Sequence, residues 1–294
     1  MKKTISFILA AFGFITMVRS QATHLGFDQG QQVQITIDTK TTISQQAMGQ
    51  SIDFNVAATG VHTYAVTNAT DDNTTLHHLI NRIKFSFDGM GQKMAFDSDN
   101  EKDLNGRFGK PIKEMKEKTY DMVIDPDGTV LMAFPDSVKL SESDSRLALI
   151  STMLKEVLDM VQPPKKGTGS FFKVLPGKEV VKTDTWTENI TTPSGKSTTN
   201  YTVSDITDST IVVAFTGTAS MVTKVEMMGN ETTTTMSHRF TGTIIVDKKT
   251  RLIRRKDITL DGTGQTESGF GSIPVTSHII TAITVAPPPA AASN

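Results

Sequence analysis

The chain of 294 residues has no cysteine, one tryptophan and three tyrosines, and its charges nearly cancel, with 30 Lys plus Arg against 31 Asp plus Glu. Without cysteine there is no disulfide framework, thiolate nucleophile, thiolate metal site or cysteine-linked lipid anchor. A near-zero charge argues against nucleic-acid binding, which normally needs a basic surface. The scarcity of aromatic rings disfavours sugar-stacking platforms. These absences favour a protein that binds an apolar ligand or no ligand.

Residues 1–22 have the features of a secretory signal peptide. Lys2 and Lys3 precede an apolar run of about 14 residues from Ile5 to Val18, and small residues follow. The alternative, a transmembrane anchor, needs about 20 apolar residues. We therefore expect an exported protein in the periplasm or outside the cell of a diderm bacterium, with no stable membrane anchor. Removing the peptide makes the mature chain mildly acidic.

Residues 23–285 are predicted to form a single β-rich domain. Apolar and polar residues alternate in several stretches, which is typical of antiparallel sheets with one buried and one wet face. This alternation is clearest at 33–37, 83–87, 211–215 and 236–246. Turn residues occur at Asp125–Gly128, Pro193–Gly195, Gly229-Asn230 and Asp261-Gly262. The predicted fold class is therefore mainly β, as a large curved antiparallel sheet or an incomplete barrel.

One stretch has the periodicity of a helix instead. Apolar residues from Leu147 to Val161 recur every three or four positions, which predicts one amphipathic helix at about 143–161 on the concave face of the sheet. A shorter helical turn is expected at Pro111–Lys118. The linker 163–170 is predicted to be a hinge between two halves, 23–162 and 171–285. Residues 286–294 are predicted to be a disordered tail.

Several segments share their spacing of strands and turns with a known family. They are Gly30–Ile37 with Met48–Gln50, Ile83–Phe87 with Phe96–Ser98, Val123–Val130, and Leu175-Pro176 with Asp184–Trp186. Over most of the mature chain this pattern resembles an uncharacterised family of exported Bacteroidota proteins, a domain of unknown function. Its members usually have a glycine where this chain has Thr183. The resemblance implies a shape similar to the half-barrel sheets of bacterial lipoprotein and lipid carriers, and no activity.

No motif in the sequence assembles a catalytic or metal centre. His77 and His78 are adjacent, so in a strand their side chains point to opposite faces and cannot easily share an ion. Gly195-Lys196-Ser197 lacks the glycine five residues earlier that a phosphate-binding loop needs. Asp125–Gly128 fits a turn better than a calcium loop. We predict no cofactor, no metal and no catalytic residue.

The 14 methionines are the most suggestive apolar feature. Because methionine adapts to irregular surfaces, a concavity beneath the helix is a candidate site for a lipid or another apolar ligand. The predicted lining residues are Met122, Met132, Leu154, Leu158, Met236 and Phe240. The alternative is that methionine fills gaps in the core of a structural or interaction module, whose partner binds an edge strand. An envelope hydrolase is a remote third hypothesis, since no nucleophile or acid–base set converges.

Overall fold

The computed structural model describes residues 21–47, 50–138, 154–227, 230–268 and 271–287. They form one antiparallel sheet of twelve strands with a few short helices. The strands are β1 (Gln32–Ala47), β2 (Gln50–Ala69), β3 (Thr74–Gly89), β4 (Gln92–Asp97), β5 (Tyr120–Ile124), β6 (Val130–Phe134), β7 (Thr185–Thr192), β8 (Gly195–Ile206), β9 (Thr210–Met227), β10 (Asn230–Asp247), β11 (Ile253–Ser268) and β12 (Gly271–Ala286). The helices are α1 (Glu101–Leu104), α2 (Gly109–Glu117) and α3 (Lys155–Leu158), and a 3-10 turn at Asp159–Val161 continues α3.

The sheet joins two meanders side by side. Its strand order is β6-β5-β3-β2-β1-β12-β11-β10-β9-β8-β7, and β4 pairs with β3. The pairing of β1 with β12 connects the meander of the first half to that of the second, with Ile37 opposite Ile283. Among the described strands, β6 and β7 are unpaired edges. The sheet is therefore open, which confirms the predicted mainly-β fold.

Side chains alternate between two faces of this sheet. One, the covered face, carries apolar residues of both meanders, for example Ile35, Ile37, Ile83, Val213 and Ile244. The other, the outward face, is polar and rich in threonine, whose branched side chain suits an exposed pleated surface. The alternating stretches identified in the sequence thus place their apolar residues on one buried side.

The helices and the loops around them pack on the covered face. Ile112 and Met115 of α2 are buried, which confirms the helical turn predicted at Pro111–Lys118. Val157 of α3 is fully buried against the first meander. The larger predicted helix lies partly outside the described residues, and within them it ends as α3 and the 3-10 turn. Across the described part of the chain, no helix is long and apolar enough to cross a membrane.

The predicted turns are confirmed at two places and wrong at a third. Residues 125–128 connect β5 to β6, and residues 193–194 connect β7 to β8. Asp261-Gly262, predicted as a turn, lies inside β11. A Cβ on Gly262 would come within 2.6 Å of the His238 ring on β10, so this glycine makes room for an imidazole instead of reversing the chain.

The predicted signal peptide and tail lie mostly outside the described residues, whereas the predicted hinge lies within them. Of the signal peptide, only Gln21 and Ala22 are described, and of the tail, only Ala286 and Pro287. The predicted hinge 163–170 runs beside β6, where Val130 N–H donates to the Thr168 carbonyl at 2.9 Å and Gly167 N–H donates to the Val130 carbonyl at 2.8 Å. Its role as a hinge stays a prediction.

Thr183 is strained in this fold. Its φ of +79° lies in the left-handed region, where a β-branched residue is an outlier and glycine is not. We expect Thr183→Gly to raise the free energy of unfolding by about 1 kcal/mol, because the relief of strain exceeds the added entropy of the unfolded chain. Urea denaturation measures the change. Thr185→Gly, in the extended β7, should instead lower stability; a loss of stability in Thr183→Gly would contradict the strain.

Candidate functional site

A buried cluster of two histidines and two tyrosines occupies the covered face of the first meander. His62 Nδ1 lies 3.0 Å from His78 Nε2, and Tyr64 Oη lies 2.9 Å from Tyr120 Oη. The rings of His78 and Tyr120 stack with 4.5 Å between their centroids. All four side chains are at most 2% exposed. Strand register brings them together, because His78 on β3 lies opposite both Tyr64 on β2 and Tyr120 on β5.

Hydrogen bonds from this cluster hold α3 and the 3-10 turn against the sheet. His62 Nε2 lies 3.0 Å from the Val157 carbonyl, and Tyr120 Oη donates to the Met160 carbonyl at 3.1 Å. Gly60 allows α3 to approach this closely, since a Cβ there would lie 3.0 Å from Val157 Cβ. The described residues beneath α3 are therefore in close contact with it.

The hydrogen bonds determine where the imidazole protons lie. The Val157 carbonyl can only accept, so His62 Nε2 carries a hydrogen and His62 Nδ1 accepts from His78 Nε2. His78 Nδ1 is then a bare acceptor with no partner among the described residues. Burial lowers the pKa of His62 to about 4. Burial, and then repulsion from His62 and His77, lowers the pKa of His78 to about 3.

The cluster lacks the features of an acid–base or metal centre. Both imidazoles are neutral at neutral pH and enclosed. Burial also raises the pKa of Tyr120 to about 12, so its hydroxyl stays protonated. Nowhere in the described residues do three or more His, Asp or Glu gather to hold a metal ion. As expected from strand geometry, His77 points to the other face, where its Nδ1 lies 2.7 Å from Asp121.

A row of aromatic rings crosses β7 to β10 on the covered face of the second meander. Trp186 stacks on Tyr201 with 5.1 Å between centroids. Tyr201 and Phe215 are 6.0 Å apart, and Phe215 and Phe240 are 6.3 Å apart. Phe215 is buried, whereas the other three rings are partly exposed. These four residues, here called the aromatic row, form a continuous apolar strip.

Glycines on neighbouring strands leave space for the rings of the aromatic row. Gly217 lies opposite Phe240, and Gly242 lies opposite Phe215. A Cβ on either glycine would come within 2.3 Å of the facing ring, so each ring lies across a position without a side chain. Glycine inside a strand marks such a close approach. The sulfur of Met236 similarly lies 2.7 Å from where a Cβ of Gly264 would be.

Ionisable groups border the aromatic row. Lys256 Nζ lies 5.4 Å from the centroid of the Phe215 ring, and Tyr201 Oη donates to Glu188 at 3.1 Å. Burial lowers the pKa of Lys256, an effect that Glu188 and Glu156 partly counteract. Burial likewise raises the pKa of Glu156 on α3. The row therefore combines an apolar surface with one poorly solvated cation.

The structure separates the six predicted lining residues. Met122 and Leu154, each 1% exposed, belong with Leu158 to the core of the first meander. Phe240 is part of the aromatic row, and Met236 lies four residues before it on the same face of β10. Met132 is 57% exposed and points outward, because Ala133 and not Met132 lies opposite Met122. Their role in binding a ligand stays a prediction.

The sequence patterns did not identify the buried cluster or the full aromatic row. His62 and Tyr64 are two positions apart on β2, so the sequence alone indicates that they share a face. Their meeting with His78 depends on strand pairing, and the pairing of β2 with β3 contains a register shift between Val61 and His62. Such an irregularity in the pairing leaves no pattern in the sequence.

Comparisons with known proteins identify a family whose function is unknown. The model of a family described as being of unknown function matches residues 71–253, more than half of the chain. No curated protein matches. Lipovitellin, in a structure titled for its lipid–protein interactions, is 11% identical over 92% of this chain, with a TM-score of 0.44; this chain spans 27% of lipovitellin.

Two outer membrane proteins are similar at still lower scores. A channel from Pseudomonas putida F1 is 7% identical over 90% of this chain and 98% of its own length, with a TM-score of 0.27. OccK8 from Pseudomonas aeruginosa is 7% identical over 89% of this chain and 100% of its own, with a TM-score of 0.22. At these values the solved structures identify no ligand for this chain.

Proposed function

Because the chain belongs to DUF6263, a family of unknown function, its role has to be inferred from its geometry, and we propose that it is a non-catalytic binding protein of the cell envelope that holds a lipid or another apolar ligand. The observation that carries this proposal is the aromatic row. Three of its four rings are partly exposed on the covered face. Aromatic rings contribute large apolar contact area, so a ligand lying along them gains binding energy.

The charges beside the row favour one ligand shape. Lys256 lies close to the Phe215 ring in a poorly solvated position. A ligand with an acidic head would compete with Glu188 and Glu156 for this cation, while its apolar body covers the rings. A fatty acid has this shape. Because the residues beneath α3 are buried against it, the proposal puts the ligand beside that helix and not under it, unlike the site expected from the sequence.

The single tryptophan provides a direct test, since Trp186 lies at one end of the aromatic row. We expect oleate, as a probe fatty acid, to change Trp186 fluorescence in a saturable titration. Phe240→Ala should weaken binding about tenfold, because it removes apolar contact area from the row. Ile280→Ala is the matched control: Ile280 is 47% exposed on the outward face, and its loss should leave the affinity unchanged. An unchanged emission at saturating oleate would contradict the proposal.

A second candidate function is favoured by the edge strand β6, whose outer side is paired with residues 167–168 only at Val130. Leu131, Met132 and Phe134 are 41%, 57% and 76% exposed on this strand. Unpaired strands with exposed apolar side chains accept a strand from a partner. If no apolar ligand binds the aromatic row, an interaction module that binds its partner through β6 becomes the better account.

A further inference from the structure

The outward face of β8 to β11 contains an open concavity of about 870 Å³ that the proposed function does not use. Eight of its lining side chains form two adjacent rows across four strands. The strand register places the first row in the order Lys196, Ser220, Ser237 and Thr263, and the second in the order Thr198, Thr218, Arg239 and Asp261. All eight are polar, which distinguishes this surface from the aromatic row on the opposite side.

Six of these eight side chains have no hydrogen-bond or ion-pair partner among the residues that the structure describes. They are Lys196, Thr218, Ser220, Ser237, Arg239 and Thr263. The other two are engaged, because Thr198 donates to Asn189 at 2.8 Å and Asp261 lies 2.7 Å from His278 Nδ1. One concavity thus gathers four unengaged hydroxyls and two unengaged cations.

Several cations of the outward face are paired, whereas these two are not, and neither is Lys40 on β1 among the described residues. Elsewhere on this face Arg82 pairs with Asp97, Lys93 with Asp88, and Arg255 with Asp257. Lys196 and Arg239 lie two strands and one row apart, about 12 Å between Cα atoms from ordinary sheet spacings. The concavity therefore offers two unpaired cations on a hydroxyl-lined surface, with the carboxylate of Asp261, engaged by His278, opposite Arg239.

We propose that this concavity binds an acidic glycan. The glycan's carboxylate or sulfate groups pair with Lys196 and Arg239, since hydrogen bonds between ionised partners are the strong ones. Its sugar hydroxyls exchange hydrogen bonds with the serines and threonines between the cations. The face that lines the concavity presents no tyrosine or tryptophan, so recognition relies on charge and hydroxyls and needs no stacking platform.

Calorimetric titration with oligogalacturonate tests this proposal. We expect binding that weakens as salt rises, because exposed charges are screened. Arg239→Gln and Lys196→Gln should each weaken it about tenfold. Lys93→Gln, which removes a paired cation from the same face, should not change it. Phe240→Ala should also retain binding, which separates this site from the aromatic row.

Two further probes decide the chemistry of the ligand. Neutral dextran should not bind, because it lacks the charged groups. Inorganic polyphosphate should bind more weakly than oligogalacturonate, and the double change Ser220→Ala with Ser237→Ala should weaken only the glycan. Equal binding of neutral dextran or of polyphosphate would overturn the proposal, as would unchanged affinity in Arg239→Gln and Lys196→Gln.

Discussion

Acidification from pH 8 to pH 5 is expected to lower the free energy of unfolding by about 2 kcal/mol for each of His62 and His78. Both imidazoles are held neutral in the folded protein, with pKa values of about 4 and about 3, against an ordinary value of 6.5. Above pH 6.5 neither state binds the proton, so the full stability is present. As the pH falls, the unfolded chain is protonated first and stability is lost, until the folded histidines titrate as well.

Urea denaturation across this pH range measures the effect, and two variants isolate it. His78→Phe retains a ring between Tyr64 and Tyr120 and removes one depressed imidazole, so it should reduce the pH dependence by about half. Tyr120→Phe is the matched control, since it loses the bond to the Met160 carbonyl and keeps both histidines. It should lower stability by a similar amount at every pH. A pH dependence in His78→Phe equal to the wild type's would contradict the assignment.

Arg251 connects separate segments of the chain through hydrogen bonds from its side chain. Its side chain is buried, and its guanidinium donates to the carbonyls of Thr23, Pro176 and Lys178. Burial lowers the pKa of Arg251, and nearby Asp127 counteracts this. The turn between β10 and β11 positions the side chain, because Arg251 N–H donates to the Asp247 carbonyl at 2.8 Å.

Replacing Arg251 by methionine is therefore expected to lower the free energy of unfolding by about 4 kcal/mol, since three carbonyls lose a charged donor at once. Arg251→Lys should cost less, because an ammonium group still reaches some of the carbonyls. Arg254→Met provides the control, as Arg254 is an exposed residue paired with Asp247 and should contribute less than about 1 kcal/mol. Equal losses in Arg251→Met and Arg254→Met would refute the role of Arg251.

Local patterns predicted the strands well and their partners poorly. Met236, His238, Phe240, Ile244 and Val246 share the covered face of β10, as period-2 alternation indicates. That alternation is a property of neighbouring residues, so it is visible in the sequence. The pairing of β1 with β12 is not, because it brings together residues such as Thr39 and Thr281, 242 positions apart.

The same reason limits what the sequence predicts about the site. The sequence predicts Phe240 as a lining residue, but its neighbours in the aromatic row come from three other strands whose register is not encoded locally. Asp261-Gly262 shows the same limit. In the sequence, a glycine that accommodates a ring from the next strand cannot be distinguished from a glycine in a turn. Met132 was grouped with Met122, whereas the register shift between β5 and β6 turns it outward.

Native mass spectrometry of the protein purified gently from its own cells tests the proposed function most directly. The account predicts one apolar ligand per chain, bound to the wild type and to Ile280→Ala and recovered at a lower fraction from Phe240→Ala. It also predicts that removing the ligand with solvent changes Trp186 fluorescence and that adding it back restores the signal. A wild-type protein that carries no ligand, and whose Trp186 emission does not respond to any lipid extracted from those cells, would contradict it.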